Sequence, residues 1–468
     1  MASPTERIVY RADQDTDEVF ELYLVGSLIK LNPPLPTGQS VVDFAITPDR
    51  SAVVYRANQD TADAIELYRV EFAQPGVSKK LNPMLPLGGD VNAFQIAADS
   101  SSVIYVADQA ADEVHELYRV SFAAPGISTK LNGPLAPGGN VFFGFSITPD
   151  NASVVYSAAQ DTANTVELYR VFLATPELST KLNGLLPTDA DVSSLSILPN
   201  NSGVVYTVSR FLPTSPGSQF SFLTSELYFV SFSTPGGAFK LNAPLAPFAI
   251  SYILSFRVTP DSSSVVYLTA NSSGDQRQLF RVRFASPGTV DKLHGSDVYA
   301  LHYRVTPDST AAVFAGNGIG VSVSSPSFPT ELYLAPFSTP GTNTKLNGPL
   351  AGNLGLLPFN GAFEITRNGL AAVYVAREKV STSELYMVPF STPGLSTTLN
   401  GSTVAGGGVY PFGSLELTPD STGVLYQANQ TTPGTTELYR VEFANPGVST
   451  KLNGSLVSGG NVEGGLVR

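Results

Sequence analysis

The chain contains few side chains suited to acid–base, nucleophilic or metal chemistry. It has three histidines and no cysteine, which excludes thiolate nucleophiles and thiolate metal sites. His294 and His302 flank a short connection that also contains Asp297, and this set could bind zinc or manganese if the connection folds back. Alternatively, His294 only caps a turn, in the role of an Asn that recurs elsewhere. We therefore predict no catalytic residues.

A second candidate for chemistry is an acidic stretch near the N-terminus. Asp13, Asp15 and Asp17 alternate along the chain, and hard cations such as calcium prefer several oxygen ligands from one tight loop. The stretch lacks the Gly and Glu that an EF-hand loop requires. The alternative is a solvated acidic rim, so we predict no cofactor and leave calcium open.

Four charged residues occupy equivalent positions in successive repeats, directly before a recurrent Ile, Val or Leu. They are Arg257, Arg304, Glu364 and Glu416, whereas earlier repeats have Ala45, Gln95, Ser146 and Ser196 at this position. Two arginines followed by two glutamates predict a charged network near a central channel. The alternative is that these charges pair only for structural reasons.

Aromatic residues are concentrated in two Ser- and Pro-rich insertions. The predicted ligand-binding residues are Phe211, Phe220, Phe222 and Phe328. Exposed aromatic side chains on enlarged loops could anchor a protein or a glycan, or they could pack on each other.

Two tripeptides recur in step along the chain, which is the mark of a repeat protein. Lys-Leu-Asn occurs seven times and has two variants, and the nine Leu residues are separated by 50, 50, 51, 59, 52, 53, 53 and 53 positions. Glu-Leu-Tyr occurs eight times in the same rhythm, and Gln278-Leu279-Phe280 is its ninth member. A Glu that recurs eight times cannot mark eight active sites. We predict that the Lys and Glu pair across neighbouring strands and that the Asn closes a turn.

Each repeat contains four runs typical of β-strands. In residues 41–82 these are VVDFAI, SAVVYRA, IELYRVEF and VSKKLN, separated by turn-forming residues. We predict an all-β fold, in which residues 1–468 form a single β-propeller domain of nine four-stranded antiparallel blades. A β-solenoid and two smaller rings are the alternatives. The first repeat lacks a first strand, so we predict that Val462 to Val467 pairs with the N-terminal blade and closes the ring.

The motifs Thr-Pro-Asp-x-Ser-x-Val-Val-Tyr and Glu-Leu-Tyr-Arg-Val resemble the TolB-type, WD-repeat-like propeller repeat with its Ser-Pro-Asp-Gly turn. The chain departs from that family in its longer repeat, in Lys-Leu-Asn and in a Ser or Thr where the family usually has Gly. The resemblance implies a propeller fold. Propellers of this type include binding modules, protease gates and sugar-processing enzymes, so it does not select one function.

Composition restricts the partners. The net charge of −12 opposes nucleic acid binding, and no apolar stretch is long enough to span a membrane. We expect a soluble monomer. The compartment stays open, because a periplasmic or extracellular protein without its signal peptide, a cytoplasmic protein and a designed one would look alike.

The scarcity of histidine favours a non-enzymatic propeller that binds a protein or glycan through its loops, or acts as a scaffold. The alternative function is a metal-dependent lyase or hydrolase acting on acidic sugars.

Overall fold

A computed structural model describes residues 6–27, 29–213, 221–243, 251–271, 277–318, 330–350, 355–356, 362–378, 382–410 and 415–468, with only the backbone described at positions 143, 213, 221, 222 and 251. These residues form nine four-stranded antiparallel sheets and no helix, which confirms the predicted fold class. Each sheet is one blade of a β-propeller. The described ranges contain no helix that could cross a membrane.

The strands follow the repeats, and a blade generally takes four consecutive strands. Blades 1 to 4 contain β1 (Ile8–Ala12), β2 (Glu21–Leu24), β3 (Ile29–Lys30); β4 (Val41–Ile46), β5 (Ala52–Ala57), β6 (Glu66–Glu71), β7 (Ser78–Lys80); β8 (Val91–Ile96), β9 (Ser102–Ala107), β10 (Glu116–Ser121), β11 (Ser128–Lys130); β12 (Val141–Ile147), β13 (Ser153–Ala158), β14 (Glu167–Phe172), β15 (Ser179–Lys181). Blades 5 to 7 contain β16 (Ala190–Ile197), β17 (Gly203–Pro213), β18 (Ser221–Ser231), β19 (Phe239–Lys240); β20 (Ser251–Val258), β21 (Ser264–Asn271), β22 (Arg277–Arg283), β23 (Val290–Lys292); β24 (Val298–Val305), β25 (Ala311–Gly318), β26 (Glu331–Pro336), β27 (Thr344–Lys345). Blades 8 and 9 contain β28 (Phe363–Ile365), β29 (Ala371–Ala376), β30 (Glu384–Pro389), β31 (Thr397–Thr398); β32 (Glu416–Leu417), β33 (Gly423–Ala428), β34 (Glu437–Glu442), β35 (Ser449–Lys451), and β36 (Val462–Val467) completes blade 1.

The hydrophobic core lies between the blades. Every residue of β9, β13, β29 and β33 is buried, because the second strand of a blade is covered on both faces by neighbouring blades. Between blades 1 and 2, Leu22 and Leu31 pack in one cluster with Tyr55 and Val70. The runs of Val, Ile and Tyr in the second strands follow from this two-sided burial.

The recurrent tripeptides form one hydrogen-bonded cluster in a blade. In blade 2 the carboxylate of Glu66 is buried and accepts hydrogen bonds from Lys80 Nζ at 2.7 Å and from the Tyr68 hydroxyl at 2.9 Å. The side-chain oxygen of Asn82 accepts a hydrogen bond from the Leu67 backbone N–H at 2.7 Å. The predicted Lys–Glu pairing and the turn-closing Asn are confirmed.

The turns between first and second strands link neighbouring blades. In blade 2 the Thr47 hydroxyl donates to Asp49 at 2.6 Å, and the Asp49 backbone N–H donates to the Ser100 hydroxyl of blade 3 at 3.0 Å. Ser100 has a φ of 57°, a left-handed conformation that favours Gly. Ser at this position therefore adds a hydrogen bond between blades that Gly could not make.

The ring is closed by β36. This strand pairs antiparallel with β1, with Val9 opposite Leu466, and the backbones of Arg7 and Arg468 exchange hydrogen bonds of 2.9 and 3.0 Å. Blade 1 thus combines both ends of the described chain, as the sequence predicts, and Tyr10 of β1 packs with Leu438 of blade 9.

Removal of residues 462–468 should strongly destabilise the protein. Val462 and Val467 are buried, and burial of one Val contributes about 1.5–3 kcal/mol, so we expect a loss of about 3 kcal/mol or more and association through the exposed edge of β1. Thermal denaturation and size-exclusion chromatography test this. The control Glu463→Gln removes only an exposed ion pair with Arg11 and should cost less than about 1 kcal/mol. An unchanged melting temperature after the deletion would contradict the role of β36.

Blade 6 departs from the cluster, because His294 replaces the recurrent Asn. Its Nδ1 lies 2.8 Å from the Gly295 carbonyl oxygen, where other blades place the Asn amide nitrogen, so the predicted turn-capping role is in place. Its Nε2 is buried and has no hydrogen-bond partner among the described residues. Burial also lowers the pKa of His294, which keeps the imidazole neutral.

The substitution His294→Asn should stabilise blade 6 by about 1 kcal/mol or more, because it replaces an unsatisfied buried nitrogen by the amide used in the other repeats. The reciprocal substitution Asn132→His should destabilise blade 3, where Asn132 accepts from the Leu117 N–H at 2.8 Å. Chemical denaturation of both variants measures the two changes. Equal destabilisation by both would show that His294 is adapted to its own blade.

Candidate functional site

The first strands of the blades surround the axis of the propeller, because first strands of neighbouring blades contact each other. For example, β12 contacts both β8 and β16, and β36 contacts β4 and β32. The predicted channel residues Arg257, Arg304, Glu364 and Glu416 lie on β20, β24, β28 and β32, each directly opposite a buried aliphatic residue of the second strand. Their common position in the blade brings them to one arc of the channel.

The remaining arc is neutral at this position. It presents Ala45, Gln95, Ser146, Ser196 and, on β36, Leu466. Gln95 spans two blades, since its Nε2 donates to the Phe145 carbonyl at 2.8 Å. The charged arc is therefore a local feature of blades 6 to 9.

Arg304 and Glu364 form an ion pair between blades 7 and 8. Arg304 Nη2 lies 2.6 Å from Glu364 Oε1, and Arg304 Nε lies 3.2 and 3.3 Å from the two carboxylate oxygens. Both side chains are partly buried. This forked geometry fixes the orientation of the carboxylate.

Arg257 borders a cavity that we call the Arg257 cavity. It has a volume of about 540 Å³ and is lined by residues of blades 5 to 7, including Ser194, Ser196, Ser255, Arg257 and Arg304. Burial and the neighbouring charge of Arg304 lower the pKa of Arg257, although a guanidinium stays protonated in proteins. Within the described ranges no carboxylate lies within ion-pair distance of Arg257. The cavity is suited to an anion.

Glu416 stands at the other end of the charged arc. Burial raises its pKa, and the like charge of Glu364 acts in the same direction, while Arg367 and Arg468 oppose the shift. The charges of Glu416 and Glu364 thus interact. Of the two carboxyl groups, only that of Glu364 forms a forked ion pair with an arginine. The two carboxyl groups therefore differ in environment, and pairs of carboxyl groups in different environments are typical of acid–base sites.

The carboxylates proposed from sequence as calcium ligands have different partners. Asp13 is buried and accepts from the Glu18 N–H at 3.1 Å, Asp15 lies 2.9 Å from Lys30 Nζ, and Asp17 packs against Gly459. In the part of the chain that the structure describes, no three His, Asp or Glu side chains are grouped to hold a metal ion. Calcium binding stays a prediction, and the structure does not bring Asp13, Asp15 and Asp17 together.

The predicted aromatic ligand residues are only partly described. Phe211 lies on the extended β17 of blade 5 and is 66% exposed. The backbone of Phe222 pairs with Leu212, and Phe220 and Phe328 lie outside the described residues. Their role in ligand binding stays a prediction.

Sequence reasoning missed two arginines beside Glu416. Arg367 stands in the turn after β28, where most repeats have Pro, and Arg468 follows β36. The signal was available, since both interrupt the repeat pattern at a position that the other blades fill with turn residues.

Comparisons with known proteins support the fold. No family model and no curated protein matches the chain. Among solved structures, a Porphyromonas gingivalis dipeptidyl peptidase 4 has a TM-score of 0.54 and 10% identity over 89% of this chain and 60% of that one. An oligogalacturonate lyase from Vibrio parahaemolyticus has a TM-score of 0.44 and 15% identity over 86% and 96% of the two chains. A puromycin-hydrolysing peptidase of Mycobacterium tuberculosis has a TM-score of 0.42 and 12% identity over 78% and 54%.

These comparisons correct our functional prediction. The similar structure with a TM-score above 0.5 is a peptidase, which contradicts the prediction of a non-enzymatic binding or scaffold module and agrees better with the alternative, in which the propeller is an enzyme. The chain spans about 60% of the length of the dipeptidyl peptidase, and identities of 10 to 15% concern the fold alone.

The raised pKa of Glu416 predicts a specific pH dependence of stability. A carboxyl group with a raised pKa in the folded state opposes folding when it is ionised, and this cost disappears once the pH falls below its ordinary pKa of about 4.5. Glu416→Gln should therefore have a higher melting temperature than the parent protein at pH 7 to 8 and an equal one near pH 4. Thermal denaturation across this range tests it, and a lower melting temperature at pH 8 would contradict the assignment.

Proposed function

We propose that this propeller is an enzyme that cleaves glycosidic bonds in an acidic carbohydrate, with its active site on the charged arc of the channel. The observation that carries the proposal is the pair of Glu416, whose pKa is raised, and Glu364, which Arg304 holds in a forked ion pair. Two carboxyl groups in different electrostatic environments are what most glycoside-cleaving enzymes use.

In this proposal Glu416 is the general acid. Its raised pKa keeps a proton on the carboxyl group at higher pH than for an ordinary Glu, and this proton passes to the glycosidic oxygen as its bond to carbon breaks. Glu364 is the base. In a hydrolase it removes a proton from the attacking water, and in a lyase it removes the proton next to the sugar carboxylate, so that a double bond forms as the leaving group departs.

Arg257 recognises the acidic group of the sugar. A guanidinium binds a carboxylate through two parallel hydrogen bonds, and the polar residues Ser194, Ser196 and Ser255 line the same cavity. Neutralisation of a uronate carboxylate by Arg257 would also acidify the neighbouring C–H bond, which a lyase requires.

We also propose that the repeats belong to the TolB-type family and that residues 1–468 form one domain. The Thr-Pro-Asp turn, with its Thr–Asp hydrogen bond and a following residue of positive φ, supports the first proposal. The pairing of β36 with β1 supports the second.

Assays on polygalacturonate and other polyuronates, with neutral xylan as control substrate, test the proposed activity. Glu416→Gln and Glu364→Gln should each lower kcat by about 100-fold or more, because general acid–base groups contribute about 10²–10⁴. The matched control Glu442→Gln, on the third strand of blade 9, should retain activity. The rate should fall as the pH rises through the pKa of Glu416, and ultraviolet absorbance of an unsaturated product distinguishes a lyase from a hydrolase. Full activity of Glu416→Gln would refute the assignment.

A further inference from the structure

A second cavity opens on the other side of the two carboxyl groups. This Arg367 cavity has a volume of about 410 Å³ and is lined by residues of blades 8, 9, 1 and 2. Its charged lining residues are Arg50, Arg367, Arg468 and Glu416. Three arginines and one glutamate therefore line this cavity, in a chain whose net charge is −12.

The arginines of the Arg367 cavity depart from the repeat at positions that the fold does not require to be basic. Arg50 occupies the fourth position of its turn, with a φ of 61°, where four other repeats have Ser. Arg367 replaces the Pro that six of the other turns have at the second position. Arg468 follows β36, at the point where the other first strands continue into a Thr, Leu or Ala. Three independent departures thus converge on one cavity.

Arg468 and Arg367 differ in their contacts. Arg468 is oriented by its Nη1, which donates to the Ile46 carbonyl at 2.5 Å, and its backbone is held by Arg7. Arg367 is exposed, and among the described residues no hydrogen bond or ion pair holds its guanidinium. Its charge interacts with Glu416, and the exposed guanidinium is available to an anion.

The two cavities flank the proposed catalytic groups. Arg304 of the Arg257 cavity binds Glu364, and Glu364 interacts electrostatically with Glu416, which lines the Arg367 cavity. The order along the arc is Arg257, Arg304 with Glu364, and then Glu416 with Arg367. A carbohydrate that placed acidic groups in both cavities would lie across both carboxyl groups.

We propose that the Arg367 cavity is a second anion subsite, so that the substrate is an oligomer with acidic groups on both sides of the bond that is cleaved. This inference rests on the proposed function for the position of the scissile bond. The binding of a second anionic group can be tested without turnover.

Titration calorimetry of the Glu416→Gln protein with galacturonic acid and its dimer, trimer and tetramer tests the subsite. The best-bound oligomer should bind at least about 10-fold more tightly than the monomer, which corresponds to about 1.4 kcal/mol. Addition of Arg367→Gln should remove most of this advantage and leave monomer binding unchanged, whereas Arg257→Gln should weaken both. The control Arg283→Gln, whose arginine pairs with Asp291 outside both cavities, should change neither. Melting temperatures verify that the variants fold.

The outcomes are separable. In one outcome, oligomers bind more tightly than the monomer, Arg367→Gln abolishes this difference, and the wild-type protein cleaves no uronate. This outcome would refute the proposed activity and support the subsite. Equal affinity for the monomer and the oligomers would overturn the subsite. Loss of both monomer and oligomer binding in Arg367→Gln would also overturn it, because that result shows a single anion site.

Discussion

The blades depend on a buried carboxylate. The Glu of Glu-Leu-Tyr is buried in blades 1 to 4 and 9, and an isolated charge in such a place would cost several kcal/mol. Lysine, tyrosine and asparagine recur beside it because they satisfy that carboxylate and the strand next to it. Burial raises the pKa of the Tyr439 hydroxyl to about 12, which keeps it a donor. Blade 6 shows that the buried carboxylate and the Tyr hydroxyl depend on each other. There Gln278 replaces the Glu and Phe280 replaces the Tyr, so the negative charge and the hydroxyl donor are lost together.

This arrangement leaves the first strands free to vary. The cluster lies on the third and fourth strands, and the stacked aromatic pair of each blade, such as Tyr55 on Tyr68 with centroids 5.5 Å apart, joins the second strand to the third. The first strand contributes little to the hydrogen-bonded cluster or to the aromatic pair. Its residues toward the axis can therefore change from Ala to Arg or Glu while the blade stays folded. The neutral and charged arcs of the channel are a result of that separation.

The sequence was sufficient to predict the strands, the blade count and the closing strand, because each rests on a local pattern or on a repeat. The Arg304–Glu364 pair could be expected from its position in consecutive repeats. The contacts of Asp13 could not be expected, since they join segments that the repeat pattern does not relate, whereas Arg367 stands out in the sequence as a departure from the turn pattern. The non-enzymatic prediction was wrong because it equated scarce histidine with absent catalysis, although carboxyl groups whose pKa values are shifted by burial can also transfer protons.

Blade 1 is completed last during protein synthesis. Each of blades 2 to 9 can assemble from strands that leave the ribosome one after another, but β1 to β3 must wait for β36. During that interval the edge of β1 and the face around Tyr10 lack their partners. Before closure, the β36 of one newly made chain could pair with the β1 of another, which is the geometry of a domain swap. The rate of intramolecular closure relative to such encounters then determines the yield of closed rings.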